Sequence, residues 1–199
     1  MRILAVGTAG DVGKAAVAEL RPRHEIITAG RSSGDVRVDL LDASSISAMF
    51  EKLGKLDAVV ACAGHAHYGP LAGMTETQFM KGLKDKLMGQ VNLVLLGTPY
   101  VNDRGSFTLT SGVLDRDPIL KGVNGATVNA ALKGFVTAAA IELERGIRIN
   151  VVSPGLLEDS EKKYAGLFPG QEMVSSKRVG LAYAKSVEGV LTGQVIIIA

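Results

Sequence analysis

The feature that most limits what this chain can fold into is a run of spaced glycines near its start, Gly7-Thr8-Ala9-Gly10-Asp11-Val12-Gly13. It follows the apolar stretch Arg2-Ile3-Leu4-Ala5-Val6 and precedes a segment of Ala, Val and Leu at helical spacing that stops near Pro22. A strand that turns directly into a helix through Gly-x-x-Gly-x-x-Gly is the opening of a β-α-β unit. Glycine is needed where a side chain would hold the backbone away from a pyrophosphate. The helix N-terminus then offers free N–H groups and the positive end of its dipole. Gly7, Thr8, Gly10, Asp11, Val12 and Gly13 are therefore candidate phosphate-binding residues; the other reading of the same glycines is a plain tight turn.

The rest of the chain repeats this alternation of short apolar runs and amphipathic segments. Further strands are predicted over His24–Ala29, Val36–Leu40, Asp57–Ala61, Gly105–Ser111, Ile147–Val152 and Gln194–Ile198. Helices are predicted over Ser44–Leu53, with Gly54 as its C-cap, over Asn124–Arg145 and over Ser176–Glu188. Another long helix opens at Thr75, where Gln78 completes a capping box and Phe79, Leu83, Leu87 and Val91 recur on one face. Residues 156–172 are mixed in polarity and read as irregular, a pocket wall or a mobile lid. Seven strands with crossover helices predict an α/β protein, a doubly wound and mostly parallel sheet with helices on both faces. Residues 1–199 are expected to form a single dinucleotide-binding domain, with its ligand across the C-terminal ends of the strands.

Composition argues against several other classes. A net charge of +2 makes no basic surface for nucleic acid, and a chain without tryptophan offers little for base stacking. No apolar run approaches the ~18 residues of a membrane span. The apolar N-terminus is short and runs straight into glycines, so it reads as a strand and not a signal peptide. The lone Cys62 has no internal partner for a disulfide and suits a reducing cytoplasm. His65-x-His67 lacks a third ligand at metal spacing, so no metal site is expected. Neither a Gly-x-Ser-x-Gly elbow nor a Gly-x-x-x-x-Gly-Lys-Ser/Thr loop is present.

The second strand indicates which dinucleotide. An acid at its end would grip a ribose 2′-hydroxyl and favour NAD. Here the strand ends Thr28-Ala29-Gly30-Arg31-Ser32-Ser33. Arg31 can grip a 2′-phosphate with two N–H groups and stack on adenine, and Ser32 adds a hydroxyl, so NADP(H) is expected. A solvated loop arginine is the alternative, and Asp35 lies near enough in sequence to keep NAD open. Asp39 and Leu40, at the end of the third strand, stand where adenine would be read; a turn role for Asp39 is equally compatible.

At this point the chain resembles the short-chain dehydrogenase/reductase family. The matching segments come in the family's order. They are the glycine loop, Ala61-Cys62-Ala63-Gly64 after the fourth strand, Thr110-Ser111 at the end of the fifth, and Asn129-Ala130-Ala131-Leu132-Lys133-Gly134-Phe135 on the long helix. Gly146-Ile147-Arg148-Ile149-Asn150-Val151-Val152-Ser153-Pro154-Gly155 is similar to the family's following strand, and Thr192-Gly193-Gln194-Val195 to its last one. The family's usual C-terminal tail is absent, and the glycine spacing is nearer its extended and atypical members. The resemblance implies that Ala63, Gly64, Asn129, Pro154 and Gly155 also face the cofactor, the last two on the nicotinamide side. It also implies a small carbonyl or alcohol substrate, and a homodimer paired through the helices from Thr75 and Asn124.

The family's Tyr-x-x-x-Lys is missing, and no tyrosine of this chain has a lysine four residues on. Alignment puts Gly125 in the tyrosine's place and Asn129 in the lysine's. Ser111 keeps the serine position. Lys86 falls where the family carries an asparagine, and an inward lysine there would replace the missing cation; a solvated lysine beside Lys81 and Lys84 is the other reading. Ser111 and Lys86 are thus the candidate catalytic pair, with water as another proton source. His65, His67 and Tyr68 could enter the pocket mouth, where His67 would be a natural proton donor; a loop histidine exposed to water is the other reading. Two functions stay open: an NADP(H)-dependent oxidoreductase, or an NADP(H)-binding sensor or partner protein that has lost catalysis.

Overall fold

The computed structural model describes residues 1–164 and 166–199. Seven strands form one sheet: β1 (Arg2–Val6), β2 (Glu25–Gly30), β3 (Val36–Arg37), β4 (Leu56–Ala61), β5 (Val101–Thr110), β6 (Arg148–Pro154) and β7 (Val195–Ile198). Their order is β3-β2-β1-β4-β5-β6-β7, and every pairing is parallel. The helices are α1 (Asp11–Leu20), α2 (Ala43–Leu53), α3 (Glu76–Gly82), α4 (Gly89–Gly97), α5 (Val123–Glu142), α6 (Glu161–Tyr164) and α7 (Ser176–Glu188).

Side chains alternate across a strand, so β1 supplies both layers. Leu4 and Val6 point into a core with Ile46, Met49 and Phe50 of α2, Leu93 and Val94 of α4, and Leu132 and Val136 of α5. Ile3 and Ala5 point the other way, against Ala16 and Leu20 of α1 and Val179, Tyr183 and Val187 of α7. Each large side chain fully buried in these layers contributes about 1.5–3 kcal/mol. The chain order reverses beside β1, between β2 and β4, and opens a crevice at the strand ends.

Several predicted boundaries move. The third strand stops at Arg37 and not Leu40, because the chain turns: Leu41 donates to the Asp39 carboxylate at 3.0 Å. The fifth strand begins earlier, at Val101, and its register against β4 shifts between Leu56 and Ala58. The helix expected to reach Arg145 ends at Glu142, where Leu143 is already extended. The predicted Thr75 capping box is present, but the helix it opens is interrupted by a π-helical turn over Leu83–Met88. Part of the stretch expected to be irregular is ordered as a 3-10 turn over Glu158–Ser160 followed by α6.

Candidate functional site

A cavity of about 550 Å³ runs across the C-terminal ends of the strands, within the usual size range of cofactor and ligand sites. Gly7, Thr8, Gly10, Asp11 and Val12 line one part of it. Gly7 has φ +83, and a Cβ there would lie 2.6 Å from the Ala63 Cβ, so glycine lets β1 and the β4 exit touch. Gly13 does not line the cavity. Its missing Cβ would sit 2.4 Å from the Gly7 carbonyl oxygen, so its part is packing of α1 on the loop, not ligand contact. A Cβ on Gly10 would meet only the Gly7 oxygen, at 3.9 Å. Its space is open toward the cavity. The N-terminus of α1 carries no side-chain cap, so its first-turn N–H groups remain for a ligand. This cradle fits a pyrophosphate.

Arg31, Ser32, Asp39 and Leu40 line the far part of the cavity. The Arg31 side chain has no ion pair or hydrogen bond to any described residue. Asp35, the acid that kept NAD open, is turned away: its carboxylate accepts from the Thr28 backbone N–H at 2.9 Å and the Thr28 hydroxyl at 2.7 Å. Those bonds hold its pKa below the ordinary aspartate value. An unpaired cation without a facing acid fits a 2′-phosphate. Asp39 has the turn role already described while also lining the cavity.

Ala63, Gly64, Lys86, Ser111, Asn129, Pro154 and Gly155 line the opposite part. Lys86 sits in the π-helical turn, a widened geometry found often at functional sites. A Cβ on Gly64 would lie 2.6 Å from the Lys86 Cα, so glycine lets that turn lie against the β4 exit. Lys86 Nζ donates to the Asn129 Oδ1 at 2.7 Å and the Ser111 carbonyl oxygen at 2.9 Å. It is not a solvated helical lysine. Burial pushes its pKa down to about 8, opposed by the negative charge of Asp115. Four residues on, buried Gln90 holds the Thr110 backbone on both sides, accepting at 2.8 Å and donating at 2.9 Å. One helical segment therefore sets both Lys86 and the strand end that carries Ser111. The Ser111 hydroxyl is buried and has no hydrogen-bond partner among the described residues.

His65 and Tyr68 reach the cavity, but His67 does not. The His67 backbone N–H donates to the Asn124 Oδ1 at 2.8 Å, and the residue does not line the cavity, so the pocket-mouth position considered for it does not hold. Sequence reasoning missed Asp115 and Leu114, while Leu156, Leu157, Ser160, Tyr164 and Phe168 put part of the 156–172 stretch on the cavity as expected. The Asp115 side chain is buried, ion-paired with Lys133, and acts on the Lys86 ammonium. Tyr164 and Phe168 line the cavity in edge-to-face contact, with centroids 6.4 Å apart. No group of three or more metal-ligating side chains occurs among the described residues. No helix among them is long and apolar enough to cross a membrane.

A family model described as enoyl-(acyl carrier protein) reductase matches residues 4–188. The chain belongs to the short-chain dehydrogenase/reductase family. A protein from Listeria innocua of known structure is 45% identical over the whole of both chains, with a TM-score of 0.99. A small-chain dehydrogenase solved in complex with NADPH is 26% identical, with a TM-score of 0.86 over 98% of this chain and 95% of the other. An uncharacterized oxidoreductase of Mycobacterium bovis is 30% identical over 67% of this chain and 59% of its own length. The match thus spans under two thirds of that relative. Against the family pattern, lysine and asparagine have changed places between two helices, Lys86 for asparagine and Asn129 for lysine, while the two side chains touch.

Proposed function

We propose that residues 1–199 act as one NADP(H)-dependent oxidoreductase domain on a small carbonyl or alcohol substrate. The observation that carries this is the Lys86–Asn129–Ser111 contact at the opposite end of the cavity from Arg31. The exchange of lysine and asparagine keeps an ammonium at the site although Tyr-x-x-x-Lys is gone. Gly7, Thr8, Gly10, Asp11 and Val12 would hold the pyrophosphate, Arg31 and Ser32 the 2′-phosphate, and Asp39 and Leu40 the adenine. Ala63, Gly64, Pro154 and Gly155 would wall the nicotinamide. When bound, the nicotinamide supplies or accepts a hydride. The Ser111 hydroxyl donates to the substrate oxygen, and the Lys86 ammonium gives that oxygen a proton, directly or through water. A lysine with a pKa of about 8 serves as acid for reduction and base for oxidation near neutral pH. Two solved relatives support the family setting, and the one titled as an NADPH complex supports the choice of cofactor.

The test is NADPH and NADH titration by fluorescence, then NADPH consumption with a panel of small aldehydes, ketones and quinones. NADPH is expected to bind tighter than NADH and to be consumed with part of the panel. Gly125 in place of the family's tyrosine favours a second reading, an NADP(H)-binding sensor; tight binding with no turnover on any substrate selects it. We further propose a soluble cytoplasmic homodimer paired through α4 and α5. Leu95 and Ile141 on those helices are exposed at 59% and 88%, and light scattering that returns a monomer would sink the pairing.

A further inference from the structure

We propose that the space beside Gly125 is a substrate subsite for a flat ring, so that the substrate is an aryl or conjugated cyclic ketone or aldehyde. This rests on the oxidoreductase reading and specifies its substrate. Gly125 is buried on α5, one turn before Asn129, and therefore on the same helix face. A Cβ there would meet the Leu114 Cδ1 at 2.8 Å, the Tyr68 hydroxyl oxygen at 3.6 Å and the Ala66 Cβ at 3.7 Å. The 2.8 Å approach means that glycine lets the Leu114 side chain lie against α5 where a side chain at 125 would stand, and Leu114 in turn walls the adjoining cavity.

Gly125 lines an inner cavity of about 270 Å³ that overlaps the main one at Ser111, Lys86 and the proposed nicotinamide walls Ala63, Gly64 and Pro154, and reaches beyond it to Ala66 and Gly125. An apolar cavity of about 150 Å³ suffices for benzene. Ala66, Leu114 and Gly125 make its apolar walls, Tyr68 and Tyr164 add aromatic ones, and Ser111 and Lys86 stand beside them. Aromatic walls favour a ring in stacked or edge-on contact. A rigid ring also loses no internal rotations on entry, whereas a flexible alkyl chain does. A carbonyl attached to such a ring would lie toward the Ser111 hydroxyl and the Lys86 ammonium. The Tyr68 hydroxyl has no hydrogen-bond partner among the described residues, and it is free to bind a polar ring substituent.

The experiment is a series of ¹H–¹⁵N spectra titrated with acetophenone or acetone, with and without NADPH, on wild type, Gly125→Leu and Tyr68→Ala. Acetophenone is expected to move the amides of Ala66, Leu114 and Gly125, and acetone at equal concentration to leave them in place. Gly125→Leu displaces Leu114 toward the cavity and should weaken acetophenone about tenfold, the order of effect of one or more methylenes in an apolar pocket. Tyr68 is half exposed, so Tyr68→Ala keeps the fold and should weaken acetophenone even if Gly125→Leu does not fold. Unchanged acetophenone affinity in a folded Gly125→Leu or in Tyr68→Ala overturns the subsite whatever NADPH does. Acetophenone at Gly125 with no response of the glycine loop to NADPH overturns the oxidoreductase reading, and with it the ring as a substrate group.

Discussion

At the end of the cavity formed by β1, α1 and β2, the groups offered to a ligand are mainly backbone: the uncapped N–H groups of α1 and the open face at Gly10. At the end under β5 and α5 they are side chains from separate elements, Lys86 from the π turn, Ser111 from the β5 exit and Asn129 from α5. The difference teaches how each end tolerates change. A backbone cradle requires glycine at set spacings, because any side chain there is an obstruction. A side-chain cluster needs only that the right atoms meet, so the cation can come from the neighbouring helix, as we propose for Lys86.

The sharpest way to break this comparison is to remove the relocated cation. Lys86→Met should lower turnover by about 10²–10⁴-fold, the usual range for losing a positioned acid or base, with NADPH affinity much less affected. Reduction needs the ammonium form, so wild-type reduction should fall as pH rises through about 8, and alcohol oxidation should rise over the same range. The variant should lose that limb. If Lys86→Met keeps the limb, Lys86 is not the proton source.

The cradle is tested by two glycines with opposite expected behaviour. Gly10→Val has room in the fold, so it should keep its melting temperature and lose about 100-fold in NADPH affinity by obstructing the phosphates. Gly13→Val collides with the Gly7 carbonyl and should show up first as lost thermal stability. Equal melting temperatures for the two would dissolve the distinction between a ligand-facing and a packing glycine.

Smaller effects sharpen the picture at the two ends. Arg31→Ala should weaken NADPH by about 10-fold, one charge-assisted contact, and leave NADH nearly unchanged. A parallel loss for both cofactors would place Arg31 on adenine and not on a 2′-phosphate. Asn129→Asp puts a carboxylate where the amide oxygen lies 2.7 Å from Lys86 Nζ. It should raise the Lys86 pKa and move the pH limb upward by about one unit. A pH profile that stays in place would mean that Asn129 does not sense the reacting lysine.

The legible part of the site is the part made by neighbours in sequence. Gly7 to Val12 line the cavity together because a strand, a turn and a helix follow one another within a few residues. Arg31 and Ser32 were legible for the same reason, at the end of β2. Lys86 was only half legible. Its place came from similarity to the family, but helical spacing alone left it equally able to face water. His67 was legible only as one of two readings, and the cavity lining leaves it out while Asn124, distant in sequence, binds its backbone. Asp115 was not visible at all, since its charge matters only through proximity to Lys86.

What could be read along the chain was the alternation of strands and helices, the position of the glycine loop, and the loss of Tyr-x-x-x-Lys. Those follow from local rules: residue periodicity, glycine at a strand-to-helix turn, and residue identity at a known spacing. Tertiary contacts were needed to show that Lys86 turns inward to Asn129, that Asp35 is bound to Thr28, and that Gly125 lines an inner cavity beside Leu114. These depend on which distant segments meet, and on how burial and nearby charge act at the point of contact, which no spacing along one chain records.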